Sequence, residues 1–203
     1  MYEKADAAIK AMNRANLKAF GKLKMAKFDE LHLIREVGEV YAASARMAKK
    51  KYLEIFEDSF FWMLVELGYE EAEAARISGE EVPEWVEKLL EDVDPVTLYR
   101  FFPEMERKAD RLTEALEASP DKNREIERAL RWWTMQVTQY ADNCVFQGRL
   151  QAMRRAGIER VRWQTQEDER VCEECDERNG VVYEIDNIPS THWRCRCALL
   201  PVE

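Results

Sequence analysis

Four of the five cysteines and one of the two histidines of this 203-residue chain fall within 26 residues: Cys172, Cys175, His192, Cys195 and Cys197. Cys172-Glu-Glu-Cys175 is a CxxC, a spacing at which a tight turn aims two thiolates at one point. After sixteen intervening residues comes His192-Trp-Arg-Cys195-Arg-Cys197, an HxxC overlapped with a CxC. Two such half-sites supply the nitrogen and sulfur donors that Zn²⁺ takes up tetrahedrally. Five candidates compete for four positions. The mirror symmetry of CxxC and HxxC favours Cys172, Cys175, His192 and Cys195. On a strand, Cys195 and Cys197 would share a face. That keeps Cys197 in the set and leaves open an all-cysteine shell without His192.

Other uses of these residues fit less well. A disulfide framework suits an oxidising compartment, and the charged start MYEKADAAIK lacks the apolar stretch of a secretory signal. A redox CxxC belongs beside a βαβ unit, which is absent here. Catalytic zinc keeps an open position with an acid or base nearby. Zinc deaminases carry H-x-E followed by P-C-x-x-C, yet no H-x-E precedes Cys172 and Pro189 follows the CxxC. His32 is the remaining imidazole and lies far away in sequence. The carboxylates nearest in sequence, Asp168, Glu169, Glu173 and Glu174, are paired with no histidine in a catalytic pattern. The reading is therefore structural zinc, with no catalytic or small-molecule-cofactor residues.

Around the cluster, Val161–Gln166, Val181–Ile185 and Cys195–Leu200 have strand character, and Asn179-Gly180 signals a turn. So short a segment buries little apolar core, so the metal is expected to supply folding free energy. The expected boundary separates a helical domain, 1–157, from a small Cys/His domain, 158–203. A sub-break is expected at Ser119-Pro120-Asp121.

Ahead of that boundary the periodicity is helical. Residues 2–26 form a basic amphipathic stretch with Ala8, Met12, Ala15, Ala19 and Leu23 on one stripe. Phe28–Leu67 reads as one long helix or two collinear ones, with Asp29 as cap and Gly68 as stop. Tyr52, Ile55, Phe56, Phe60 and Met63 make its apolar face. Phe60-Phe61-Trp62 reads as core. A short helix Tyr69–Ile77, a break at Ser78-Gly79 and a new helix from Val82-Pro83 to Glu91 are expected next, with Trp85 and Leu89 on one side. Asp94-Pro95 reads as a further helix start, leading past Tyr99, Phe101 and Phe102, with Pro103 restarting the helix toward Ala118. From Lys122 to Ala156, Ile126, Leu130, Trp133, Val137, Tyr140 and Cys144 repeat at alternating steps of four and three, the seam of wrapped helices. Cys144 on that seam reads as a buried thiol. The fold class is mainly α: a long-helix bundle followed by a small zinc-binding β-hairpin (α+β) mini-domain.

The run Trp163-x-Thr165-x-x-Asp168-x-Arg170-Val171-Cys172-x-x-Cys175, then Gly180, then Ile188-Pro189-x-x-His192-x-x-Cys195-Arg196-Cys197-x-Leu199-x-Pro201 resembles the C-terminal signature of the phage Mu protein F-like head morphogenesis family. The resemblance implies a minor, non-enzymatic component of tailed-phage heads, present in host cytoplasm during assembly and then in the virion head. It implies association with the portal protein and other head proteins, and an influence on DNA exit in some members.

Charge bears on partners. The net charge is −9, which disfavours general affinity for nucleic acid. Residues 1–27 nevertheless carry +5 and residues 66–120 carry −10. The basic start and the collar Arg149, Arg154, Arg155, Arg160 and Arg162 are the candidate DNA contacts, with packing and surface ion pairs as their plainer roles. Arg170, Arg194 and Arg196 are candidates for a partner-facing surface. The longest apolar run, Phe60–Val65, is far below the ~20 residues of a membrane span, so neither a membrane nor a small-molecule substrate is expected. The alternative readings are a zinc-dependent nucleic-acid binder and a zinc enzyme of nuclease or deaminase type.

Overall fold

The computed structural model describes residues 3–25, 30–91, 101–166, 168–192 and 195–202; side chains at 25, 30, 31, 83, 85–91 and 101–105 are also outside the description. Five long helices come first: α1 (Glu3–Met25), α2 (Glu30–Glu66), α3 (Glu71–Glu91), α4 (Phe101–Ala118) and α5 (Lys122–Arg155). Then follow β1 (Arg160–Gln164), the short α6 (Glu173–Arg178), β2 (Val182–Glu184) and β3 (Ala198–Val202). The protein is thus mainly helical with a small antiparallel sheet, as the periodicities predict. The expected roles of Asp29, Asp94-Pro95, Tyr99 and Arg194, and the side chains of Trp85, Leu89, Phe101 and Phe102, lie outside the described residues.

α2 is the hub, packing against α1, α3, α4 and α5. α2 and α5 run parallel. Tyr41 meets Trp133 edge-on at 5.0 Å, the Tyr52 hydroxyl donates to the Val137 carbonyl at 3.3 Å, and Glu66 pairs with Arg149 at 3.0 Å. Their closest crossing is at Gly148: a Cβ built there would lie 2.7 Å from the Phe56 carbonyl oxygen, so only glycine fits this separation. α1 lies antiparallel beside both. It buries Ala8, Met12, Phe20 and Leu23 and is pinned by Lys4–Asp58 at 2.6 Å and Lys24–Glu127 at 2.7 Å. Packing against neighbouring helices therefore accounts for its apolar stripe.

The seam of α5 is buried as predicted, with Ile126, Trp133, Val137, Tyr140 and Cys144 each at most 1% exposed. Asp121 caps this helix, accepting from the Arg124 amide at 3.1 Å. Its end is closed by Gly157 at φ +77°. The Gly157 amide donates to the Arg154 carbonyl and the Ile158 amide to the Met153 carbonyl, both at 3.0 Å. These bonds satisfy the last carbonyls and turn the chain toward β1.

The region after Gly68 departs from expectation. α3 runs unbroken through Ser78-Gly79 and Pro83. Ala74, Ile77, Ser78 and Val82 are all buried on one stripe, and the Ser78 hydroxyl donates to the Glu57 carbonyl of α2 at 3.3 Å. Packing on α2 outweighs the ~1 kcal/mol that a helical glycine costs. Of the aromatic run in α2, Phe60 is fully buried and Trp62 is 39% exposed, so the run is only partly core.

The sheet has the order β2-β1-β3, with both pairings antiparallel. Val161 pairs with Tyr183 on one side and Pro201 on the other. Val161, Trp163 and Leu199 are buried, and Trp163 lies between Phe146 of α5, tilted at 6.5 Å, and Tyr183, edge-on at 6.4 Å. That indole is the hinge between helices and sheet.

Candidate metal centre

The CxxC sits at the start of α6. Cys172 is its N-cap in extended conformation, and Cys175 is buried one turn on. The Asp176 amide donates to the Cys172 carbonyl at 2.9 Å, closing that turn so that residues three apart share a side. This helix is absent from the sequence reading. Its signals are Glu173, Glu174 and Asp176 in the first turn, Arg178 in the last and a Glu174–Arg178 ion pair, all of which suit the helix dipole. Asn179-Gly180 then turns the chain into β2: the Gly180 amide donates to the Trp163 carbonyl at 2.8 Å, and the Asn179 side chain accepts from the Thr165 amide at 3.1 Å.

The second half-site is a turn as well. The Cys195 amide donates to the His192 carbonyl at 3.1 Å. Here the structure corrects the strand argument for Cys195 and Cys197. Both precede β3, which begins at Ala198, so the loop and not a pleat sets their direction.

All five predicted donors converge. His192 Nε2 lies 3.2 Å from Cys172 Sγ and 2.9 Å from Cys175 Sγ. Cys175 Sγ lies 3.8 Å from Cys195 Sγ. The donors form two groups, Cys172–Cys175–His192 and Cys175–Cys195–Cys197, each with ligand atoms within 4.8 Å. Cys175 belongs to both. The set could hold a metal ion. Cys144, buried in the helical core, is in neither group.

Crowding shapes the protons of the thiols. Burial pushes the Cys175 thiol up to about 12. The Cys195 thiol is raised further, first by its hydrogen bond to Cys197 and then by burial. Cys197 is held below the usual thiol range, mainly by that same bond and in smaller part by the Trp163 indole. A cation here would displace these protons, because thiolate is the ligating form.

Charged neighbours brace the site. Arg196, between the last two cysteines, grips Asp168 through both guanidinium nitrogens at 2.7 and 2.5 Å. Asp168 also accepts from the Arg170 amide at 3.0 Å. The hydrogen bond from Arg196 is the chief cause that lowers the Asp168 carboxyl to about 2. Gln166 donates to the Arg196 carbonyl at 2.9 Å. Arg178 donates to the Ser190 carbonyl at 3.0 Å and lies 5.3 Å from the centre of the Trp163 ring. Of the proposed partner-facing arginines, Arg196 is thus engaged internally and Arg170 is exposed. Asp168 and Glu174 serve ion pairs, while Glu169 and Glu173 are exposed.

The arginine collar resolves largely into ion pairs. Arg149 binds Glu66, Arg155 binds Glu81 at 2.9 Å, and Arg154 binds Asp186 at 3.3 Å. The acidic middle of the chain thereby answers part of its basic collar. Beside the cysteines, a cleft of about 340 Å³ separates α5 from the 195–199 segment, with Asp142, Arg149, Thr191 and Arg196 among its walls. Desolvation, helped by Asp6, pushes the Asp142 carboxyl up to about 6. Nothing local in Gln-Tyr-Ala-Asp-Asn-Cys announces this, because the covering groups come from distant parts of the chain.

Among the described residues, no helix is long and apolar enough to cross a membrane. No curated protein and no solved structure matches the chain. Residues 105–200 match the family model of phage Mu protein F like protein. The matched stretch spans most of α4, the whole of α5 and the loops that carry the cysteine–histidine cluster, so the resemblance carried by the signature holds well beyond the cysteines.

Proposed function

From the match of residues 105–200 to the phage Mu protein F like family, we propose that this chain is a minor head protein of a tailed phage. It works as a structural assembly component that docks on the portal through its helices. That family match is the observation that carries the reading.

In this reading the cysteine cluster holds one structural Zn²⁺ through Cys172, Cys175, His192 and Cys195. The donors fit. The 3.8 Å Cys175–Cys195 separation is the edge of a tetrahedron with metal–sulfur bonds of ~2.3 Å. His192 Nε2 faces two sulfurs at once. Cys197 stands alongside as a hydrogen-bonded neighbour. When bound, the ion cross-links the start of α6 to the turn before β3. Arg196–Asp168 and Arg178–Ser190 then hold the two loops that carry the ligands. The proposed domain boundary at 157/158 follows from this division of labour between packed helices and a metal-tied end.

Co-sedimentation with the purified portal protein of the same phage tests the docking. The expected result is a stable complex at micromolar concentration. Absence of co-sedimentation and of co-assembly with portal and coat protein would overturn it.

A further inference from the structure

Ion pairs with carboxylates recur along the described helices and around the cysteine cluster, but the outward face of α1 is different. Lys10, Arg14, Lys18 and Lys22 are all exposed, and none makes an ion pair among the described residues. They recur every four residues, so over about 18 Å of helix they form an oblique band that turns about 40° per step and covers one side of α1. No Asp or Glu occurs between Asp6 and Asp29. The opposite face of α1, with Met12, Phe20 and Leu23, is buried in the bundle, and Lys4 and Lys24 at either end are held by Asp58 and Glu127. The band is therefore presented on a fixed rod.

We infer that this stripe is a sequence-independent binding surface for the phosphate backbone of double-stranded DNA. A duplex carries about ten phosphates over an 18 Å length of axis, so this cationic side of the helix meets a dense array of anions. A membrane surface fits less well. Leu17 is the large apolar side chain exposed on this face, whereas interfacial helices bury a whole apolar side. Single strands fit less well too, because the stripe lacks the exposed aromatics on which unpaired bases stack. The chain's −9 charge confines attraction to this local face. The inference does not depend on portal docking.

The test is fluorescence anisotropy of the full chain with a 30-base-pair duplex across 50 to 200 mM salt. Four phosphate contacts give a log–log salt slope of about −3.6, or roughly a 100-fold loss of affinity over that range. The variant K10Q/R14Q/K18Q/K22Q should bind at least tenfold more weakly at 50 mM, with its slope near zero. The charge-matched variant R35Q/R46Q/R111Q/R131Q, also altered at exposed positions, should retain most of the binding. Far-UV circular dichroism checks both folds. Should the fourfold variant not fold, R14Q/K18Q is expected to halve the slope. Equal losses in both fourfold variants, no duplex binding by the parent chain, or binding to vesicles with 30% phosphatidylserine without duplex binding would each overturn the inference.

Discussion

Gly148 and Asp142 sit two turns apart on α5 and show how single positions carry opposite constraints. At Gly148 the backbone of α2 occupies the space of a Cβ. Gly148→Ala gains helix propensity but must push the helices apart, and overpacking of this kind costs about 1–3 kcal/mol. A denaturant titration should show a net loss of stability. Asp142 is a carboxyl whose folded pKa, about 6, is above its unfolded value. The folded state thus holds the proton more tightly, and stability falls as pH rises from about 4 through 6. Asp6 faces it from α1, and Arg149 and Arg196 share its cleft. Asp142→Asn should flatten that fall and raise stability at pH 7 by up to about 1 kcal/mol after discount for exposure. An unchanged pH profile would contradict the assignment. Cys172, Cys175, His192, Cys195 and Cys197 were legible as one site because ligand spacing is local. Asp142 was not, because the groups that crowd its carboxyl, Asp6 of α1 and the 195–199 segment, are brought together only by the fold.

Among the elements, α5 and β1 follow from their sequence patterns: a four–three seam needs a partner stripe, and alternation in Arg160–Gln164 needs one buried face. α3 and α6 do not. At Ser78-Gly79 local propensity and tertiary packing disagree, and packing on α2 prevails. Gly79 has open space around its Cα, so Gly79→Ala should stabilise α3 by about 0.5–1 kcal/mol. A loss of stability in thermal melts would show that the break read from Ser-Gly is real. α6 is too short for a hydrophobic period and is specified by charge at its ends. The CxC reading failed for a related reason: ligand loops are shaped by turns and by Arg196–Asp168, features without periodicity. Asp168 makes the acid side of this bracing plain. Its carboxyl is depressed to about 2, so the contribution is present above the unfolded value near 4 and fades as pH falls toward 2.

For the whole molecule, the helices and the metal-ligating end are joined by few but specific contacts. Trp163 packs on Phe146, Arg154 bonds the Ile185 carbonyl at 3.2 Å, and Gly157 sets the direction of exit. A bundle that buries its own seams is stable through packing, whereas under the proposed zinc reading the small sheet draws on the metal, since structural zinc contributes on the order of 10–16 kcal/mol to zinc-finger folds. Metal removal should therefore loosen residues 160–202 while α1 to α5 persist, seen as lost amide protection in the sheet with little change in helical circular dichroism. The central claim is the single zinc that ties α6 to the turn before β3. Native mass spectrometry of the purified chain tests it most directly. One zinc per chain is expected, lost with Cys175→Ser or Cys195→Ser and kept with Cys197→Ser. A metal-free parent chain with all its C-terminal thiols reduced, or zinc retained after Cys195→Ser, would contradict it.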